Sequence, residues 1–294
     1  GHFPEKIDEY GIIHQSKEVI FYTNSVKLIT STVVRNNLTP DQVNIICADT
    51  EKNKKVLEKA SLVRGKAPLR DQPHKMFTFC TRTTYAGADF YSTNALSVIV
   101  SDCKIDSLAT DIRMDFPQIM GRQRLKENVF RDECIFIYKL SDESVTMREF
   151  NEISKRKLLK SEADAKTFQL VVQSGEDLSL LNLLGDLRLR VKIKKYSEDY
   201  TGIDEKTGQL CINKLVYLAE KRAFELRSDV YKSDVFVYNE FARVDTSGIS
   251  FDETIQKKKA IYEVRAVFQS RGSFENKMRV ICNLLLPSYQ PSKA

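Results

Sequence analysis

Met76 to Phe90 reads Met-Phe-Thr-Phe-Cys-Thr-Arg-Thr-Thr-Tyr-Ala-Gly-Ala-Asp-Phe. The apolar opening is a short buried strand. It runs into a polar turn carrying Thr81, Arg82, Thr83 and Thr84, followed by Gly87, Ala88 and Asp89. Hydroxyls and a flexible glycine at the carboxyl end of a buried strand are where open α/β sheets bind ligands. The same letters also suit a strand followed by an ordinary loop.

Strands and helices alternate outward from this stretch. Glu18 to Tyr22 is a short strand, and Thr23-Asn24-Ser25 can cap the amphipathic segment Val26 to Asn37. Leu38-Thr39-Pro40-Asp41 then turns the chain. Val43 to Cys47 is the next buried strand, and Thr50 to Lys59 a charged helix. Leu62 to Lys75 is a basic loop, with Arg64, Lys66, Arg70 and Lys75 around Pro68 and Pro73. Ala95 to Val100 and Cys134 to Tyr138 add two apolar strands. This alternation predicts an α/β fold with a doubly wound, mainly parallel sheet.

A second stretch, Phe116 to Leu125, reads Phe-Pro-Gln-Ile-Met-Gly-Arg-Gln-Arg-Leu. It sets Gln118, Gly121, Arg122 and Arg124 on one tight segment. Two arginines beside a glycine make a permanently charged fork with little crowding. Guanidinium matches phosphate oxygens bidentately, so the fork suits a polyphosphate. An arginine that meets phosphate only in the transition state acts as a finger. A helix start with solvated arginines would use the same residues.

Together the two stretches resemble motifs V and VI of the superfamily 2 (DEAD/DEAH-box-like) helicases, in their second RecA-like lobe. In that family a threonine precedes Gly-x-Asp at a fixed interval. Here Thr81 precedes Gly87 by six positions and Asp89 completes the triplet. The sixth motif usually runs Gln-x-x-Gly-Arg-x-x-Arg, which Gln118, Gly121 and Arg122 fit. Leu125 holds the second arginine's usual position and Arg124 lies one residue earlier, as in viral origin-binding helicases. Arg124 is then either a second finger or a contact internal to the lobe. Glu18 to Tyr22 with Asn24 and Ser25 resembles motif IV, where a polar residue after the strand meets a nucleic-acid phosphate.

The resemblance spans residues 12 to 140 and carries a division of labour. Asp89 approaches the ribose of ATP, Arg122 the γ-phosphate, and Gln118 the phosphate or its attacking water, beside Gly87 and Gly121. Asn24, Ser25, Thr81, Arg82 and Thr83 face the backbone of DNA or RNA. The sequence holds no Gly-x-x-x-x-Gly-Lys-Ser/Thr loop; Gly65-Lys66 lacks both the earlier glycine and the hydroxyl. Asp132-Glu133 precedes a strand rather than following one, which suits a magnesium-binding acidic pair poorly. In the family the phosphate loop and the Mg2+ acid belong to the first, N-terminal RecA-like lobe. The expectation is therefore a second lobe with an accessory region, part of a longer ATP-dependent helicase and inactive alone. Two other classes stay open: a non-catalytic nucleic-acid-binding module, and an unrelated α/β protein gripping a phosphorylated small ligand.

The remaining features bound this reading. The 294 residues suffice for about two domains of ~100–200 residues each. No apolar run of ~18 residues suggests a membrane span. Six cysteines include no Cys-x-x-Cys pair, and His2, His14 and His74 are scattered. The cysteines read as small buried apolar residues of a reducing, cytoplasmic protein rather than metal ligands. A net charge of +6 does not by itself diagnose nucleic-acid binding. Arg188, Arg190, Lys192 and Lys194 alternate with apolar residues, giving a strand one basic face. That stripe suits a phosphate backbone or plain solvation. Lys257-Lys258-Lys259 reads as an exposed helix face. Ser141-Asp142-Glu143-Ser144 marks a boundary, with the lobe at 1–143 and a mostly helical accessory domain at 144–294. Helices are expected over Thr146 to Gln173, Gln209 to Leu226, Ile255 to Phe268 and Phe274 to Leu286.

Overall fold

The computed structural model describes residues 5–85, 87–105, 108–174, 199–204, 206–246 and 263–269, with backbone alone for 242–246 and 263–269. A hairpin of β1 (Glu5–Ile7) and β2 (Ile13–Gln15) leads into β3 (Glu18–Tyr22), α1 (Val26–Arg35), β4 (Val43–Ile46) and α2 (Glu51–Glu58). Then come β5 (Phe77–Cys80), a 3-10 turn (Arg82–Thr84), β6 (Ala95–Asp102), α3 (Asp115–Met120) and β7 (Glu133–Lys139). The later elements are α4 (Met147–Ser174), β8 (Thr201–Ile203), β9 (Leu210–Ile212), α5 (Lys214–Glu225), a π turn (Leu226–Val230), α6 (Asp234–Thr246) and β10 (Glu263–Gln269).

Six strands form one sheet in the order β10-β7-β6-β3-β5-β4. Every neighbouring pair is parallel. The expected α/β class and parallel sheet are thus observed. Both faces are buried, as parallel sheets require. Val19, Phe21, Phe77, Phe79, Leu96, Val98, Ile135 and Ile137 point to one face, where Ile29 and Val33 of α1 and Leu57 of α2 join them. On the other face Phe136 meets Phe116 of α3 edge-on at 6.1 Å and Phe241 of α6 at 5.3 Å. The Ser25 hydroxyl caps α1, accepting from Leu28 N at 3.2 Å. Asn37, at a φ of 52°, takes the left-handed turn that ends it.

The basic loop shields the edge strand β4. Gly65 N donates to Ile45 O at 2.7 Å, and Asn44 Nδ2 to Lys66 O at 2.9 Å. A Cβ at Gly65 would lie 1.8 Å from Asn44 Oδ1, so only glycine lets the loop run this close. An edge covered in this way cannot recruit another strand.

Three expectations are corrected. First, Glu263–Gln269 is a strand pairing with β7, not the end of a helix from Ile255. A short apolar run fits either period, and the open edge of β7 decides for the strand. Residues 255–262, the helix expected over Phe274 to Leu286, the lysine run at 257–259 and the stripe at 188–194 lie outside the described residues. Second, Gln209 to Leu226 is not one helix. Leu210–Ile212 pairs antiparallel with β8, and Asn213 caps α5, its Oδ1 accepting from Val216 N at 3.2 Å. Third, the chain does not divide at 143. Its compact units are Gly1–Leu140 with Ser233–Ala294, and Ser141–Lys232. The return after residue 232, which feeds β10 into the sheet, was not expected.

Within the second unit α4 begins with a capping box: Thr146 N donates to Glu149 Oε2 at 2.8 Å and Glu149 N to Thr146 Oγ1 at 3.3 Å. Phe150 stacks on Phe224 of α5 at 4.2 Å. Buried Tyr200 reaches α4 twice, its N donating to Ser161 Oγ at 2.9 Å and its hydroxyl to Ser154 Oγ at 3.2 Å. Arg227 and Glu143 form a buried ion pair at 3.1 Å. Among the described residues no helix is long and apolar enough to cross a membrane.

Candidate functional site

The chain leaves β3 toward β4 on one side of the sheet and leaves β6 toward β7 on the other. Such a reversal opens a crevice at the carboxyl ends of the strands. Tyr22 of β3 lies opposite Cys80 of β5, so the residues after each strand share one rim. Asn24 Oδ1 accepts from Arg82 N at 3.0 Å across it. The Thr81 and Thr83 hydroxyls are 3.1 Å apart, and Thr81 N donates to Ile46 O of β4 at 3.1 Å. Arg82 and Thr83 are exposed, Asn24 and Ser25 half-buried, and Thr81 buried. The Ser25 hydroxyl is engaged as the α1 cap. The Arg82 guanidinium also has partners, donating to Ala109 O at 3.3 Å and to Asp115 Oδ2.

The second group lies over the face that α3 covers. Phe90 N donates to Arg122 O at 2.8 Å, and Arg124 N to Phe90 O at 2.9 Å, around a parallel bridge of Phe90 with Gln123. This two-residue clasp joins stretches that are distant in sequence. It brings Arg122 Nη1 to 3.2 Å and Arg124 Nε to 2.9 Å from the same atom, Asp89 Oδ1. Arg122 Nε donates to Gln118 O at 3.0 Å, while the Gln118 side chain stands exposed on the last turn of α3. Both arginines are thus engaged by Asp89 within the chain. Neither Gly87 nor Gly121 has a positive φ, and an added Cβ would meet its nearest neighbour at 3.5 and 3.4 Å respectively. The backbone does not demand glycine at either place, contrary to the flexible-glycine reading; only close approach of a ligand would.

Residues that the sequence reading passed over hold the clasp. Gln123 Nε2 donates to Ala95 O at 2.9 Å and to Ser97 Oγ at 3.0 Å. Asn128 Nδ2 donates to Ala95 O at 2.9 Å and to Gln123 Oε1 at 2.5 Å. Both side chains are buried, so the segment between the arginines is pinned to β6 by a satisfied polar network. No local signal marked them, since Gln123 stands between two arginines and Asn128 follows Glu127. Tyr22 links the groups, its ring edge-on to Tyr85 at 5.8 Å and to Phe90 at 6.4 Å. Burial pushes the Tyr22 and Tyr85 phenols well above their ordinary range, so both stay neutral packing elements.

Glu133 opens β7 and pairs with Lys6 at 2.5 Å, and Asp132 pairs with Arg131 at 3.0 Å. Among the described residues no group of three or more His, Cys, Asp or Glu is placed to hold a metal ion. Cys47, Cys80, Cys103 and Cys134 are free thiols and buried. No protein-family model, curated protein or solved structure matches the chain.

Proposed function

We propose that this chain is the arginine-bearing, RecA-like second lobe of an ATP-dependent nucleic-acid helicase or translocase of the superfamily 2 type. The observation that carries the reading is the convergence of Asp89, Arg122 and Arg124 through the Phe90–Gln123 clasp. Residues picked out as two separate motifs share one half-exposed cluster. The rim of Asn24, Thr81, Arg82 and Thr83 contributes no group to the ion pairs of Asp89, which suits a division between nucleotide and nucleic acid.

In this reading a first lobe supplies the phosphate loop and the acid for Mg2+, and closure on ATP presents Arg122 to the γ-phosphate. The guanidinium offsets charge that develops there in the transition state. Gln118, exposed beside it, orients phosphate or water. Asp89 holds the arginines in register and meets the ribose on closure. Hydrolysis then depends on closure, and closure moves the rim along a strand of DNA or RNA. The buried thiols fit a reducing, cytoplasmic setting.

The chain alone should show no steady Mg2+-dependent ATP turnover. Turnover that Arg122→Ala abolished in the chain alone would overturn the half-site reading. Tight mononucleotide binding by the chain alone would favour the small-ligand alternative. Oligonucleotide binding with no ATPase after addition of the phosphate-loop lobe would favour the non-catalytic module.

A further inference from the structure

Asp115, which no motif contains, opens the helix α3 that leads to Arg122. Its Oδ2 accepts from Arg82 Nη2 and also from Asp111 N at 3.0 Å. Arg82 is therefore held at three points: its backbone N by Asn24 on the rim, and its guanidinium by Ala109 O at 3.3 Å and by the first residue of α3. The helix Asp115–Met120 is only about 9 Å long at ~1.5 Å per residue. Arg122 follows it and is tied back to Gln118 O. The two partners differ in access. The Arg82 side chain is 48% exposed and that of Asp115 is 16%. A ligand can reach the guanidinium, whereas the carboxylate, engaged with Asp111 N, cannot follow it outward. Carboxylate and phosphodiester compete for the same donor geometry.

We propose that Asp115 is a positioning residue that keeps Arg82 on α3 until a phosphate of a single nucleic-acid strand takes the guanidinium, and that release of this ion pair is transmitted through α3 to Arg122. The inference rests on the proposed nucleic-acid role of the rim. It gives the lobe a route by which strand binding readies the arginine that meets ATP.

The test uses a fluorescent single-stranded oligothymidylate and the whole chain. Asp115→Asn should tighten binding by about three- to five-fold at low salt, the scale of losing one partly exposed ion pair. Arg82→Gln should weaken binding and lower the log–log salt slope by about 0.7. Asp115→Glu should stay near the parent affinity. The 15Nε resonance of Arg122, assigned from its disappearance in Arg122→Lys, should move when the oligonucleotide binds. The same resonance should be displaced already in free Asp115→Asn and in free Arg82→Gln, and in Arg82→Gln it should no longer respond to the oligonucleotide. Unchanged or weaker affinity in folded Asp115→Asn overturns the competition. If that variant fails to fold, an Arg122 resonance indifferent to oligonucleotide in the parent chain overturns the transmission. If the parent chain binds no oligonucleotide, the nucleic-acid reading of the rim fails and takes this inference with it.

Discussion

The rim and the arginine cluster are assembled by different forces. The rim follows from the sheet: once β3 and β5 are adjacent and parallel, the residues after Tyr22 and after Cys80 must be neighbours. Its local links are hydroxyl and backbone contacts that reach one strand across. The cluster has no such guarantee. Arg122 and Arg124 reach Asp89 only because the Phe90–Gln123 clasp and the buried Gln123–Asn128 network hold a loop against β6. One site is a by-product of topology. The other depends on a few specific side chains and is correspondingly easier to damage.

The largest expected effect is at the cluster. With the phosphate-loop lobe present, Arg122→Ala should lower kcat by on the order of 10³-fold, as measured by steady-state ATP turnover. Arg124→Ala should do less, since Arg122 and not Arg124 holds the finger position of the motif that the segment resembles. A larger loss at Arg124 would reverse their assigned roles.

The rim offers a kinetic contrast. Burial raises the Cys80 thiol from its ordinary value to about 12. At pH 8 its thiolate fraction, and with it the native alkylation rate, should fall roughly 10³-fold below that of an exposed thiol. Mass-resolved labelling checks this. Fast native labelling of Cys80 would mean that the end of β5, and the rim built on it, opens locally.

Gln123→Leu tests the other side. It leaves the Asn128 amide without one partner in a buried setting and should cost roughly 1–3 kcal/mol in urea unfolding. Thr83→Val on the exposed rim should stay within about 0.5 kcal/mol. Equal costs would erase the distinction between the two sites.

The smallest effects concern glycine. Gly87→Ala and Gly121→Ala should change stability by less than about 0.5 kcal/mol, because neither adopts a positive φ. Gly65→Ala should cost more, about 1 kcal/mol or above, since Asn44 must move and surrender its bond to Lys66 O. A loss of ATPase in the stable Gly121→Ala variant would show that a ligand comes close at that point.

Much of the fold was legible. Short β-branched and apolar runs such as Val43–Ile46 and Ala95–Asp102 announce buried strands, and Ser25 and Thr50 sit where helix caps belong, whereas Asn213 fell inside a longer expected helix. The candidate residues of the cluster were legible as letters. Their partners were less so. Nothing in the local pattern says that Arg82 pairs with Asp115, 33 positions on, or that Gln123 is buried beneath the arginines. These contacts depend on how a loop closes over the sheet, which is a long-range property.

By itself the sequence determined the α/β class, the five sheet strands between residues 18 and 140, the starts of α1 and α2 and the identity of a two-arginine segment. Local period, capping chemistry and the permanent charge of guanidinium are short-range properties, so a linear reading recovers them. Tertiary structure alone decided that residues 263–269 form a strand, that 141–232 interrupt the sheet-bearing unit, and that one carboxylate holds both arginines. Each of these turns on which free edge or unpaired charge lies nearby after folding, and that neighbour is far away along the chain.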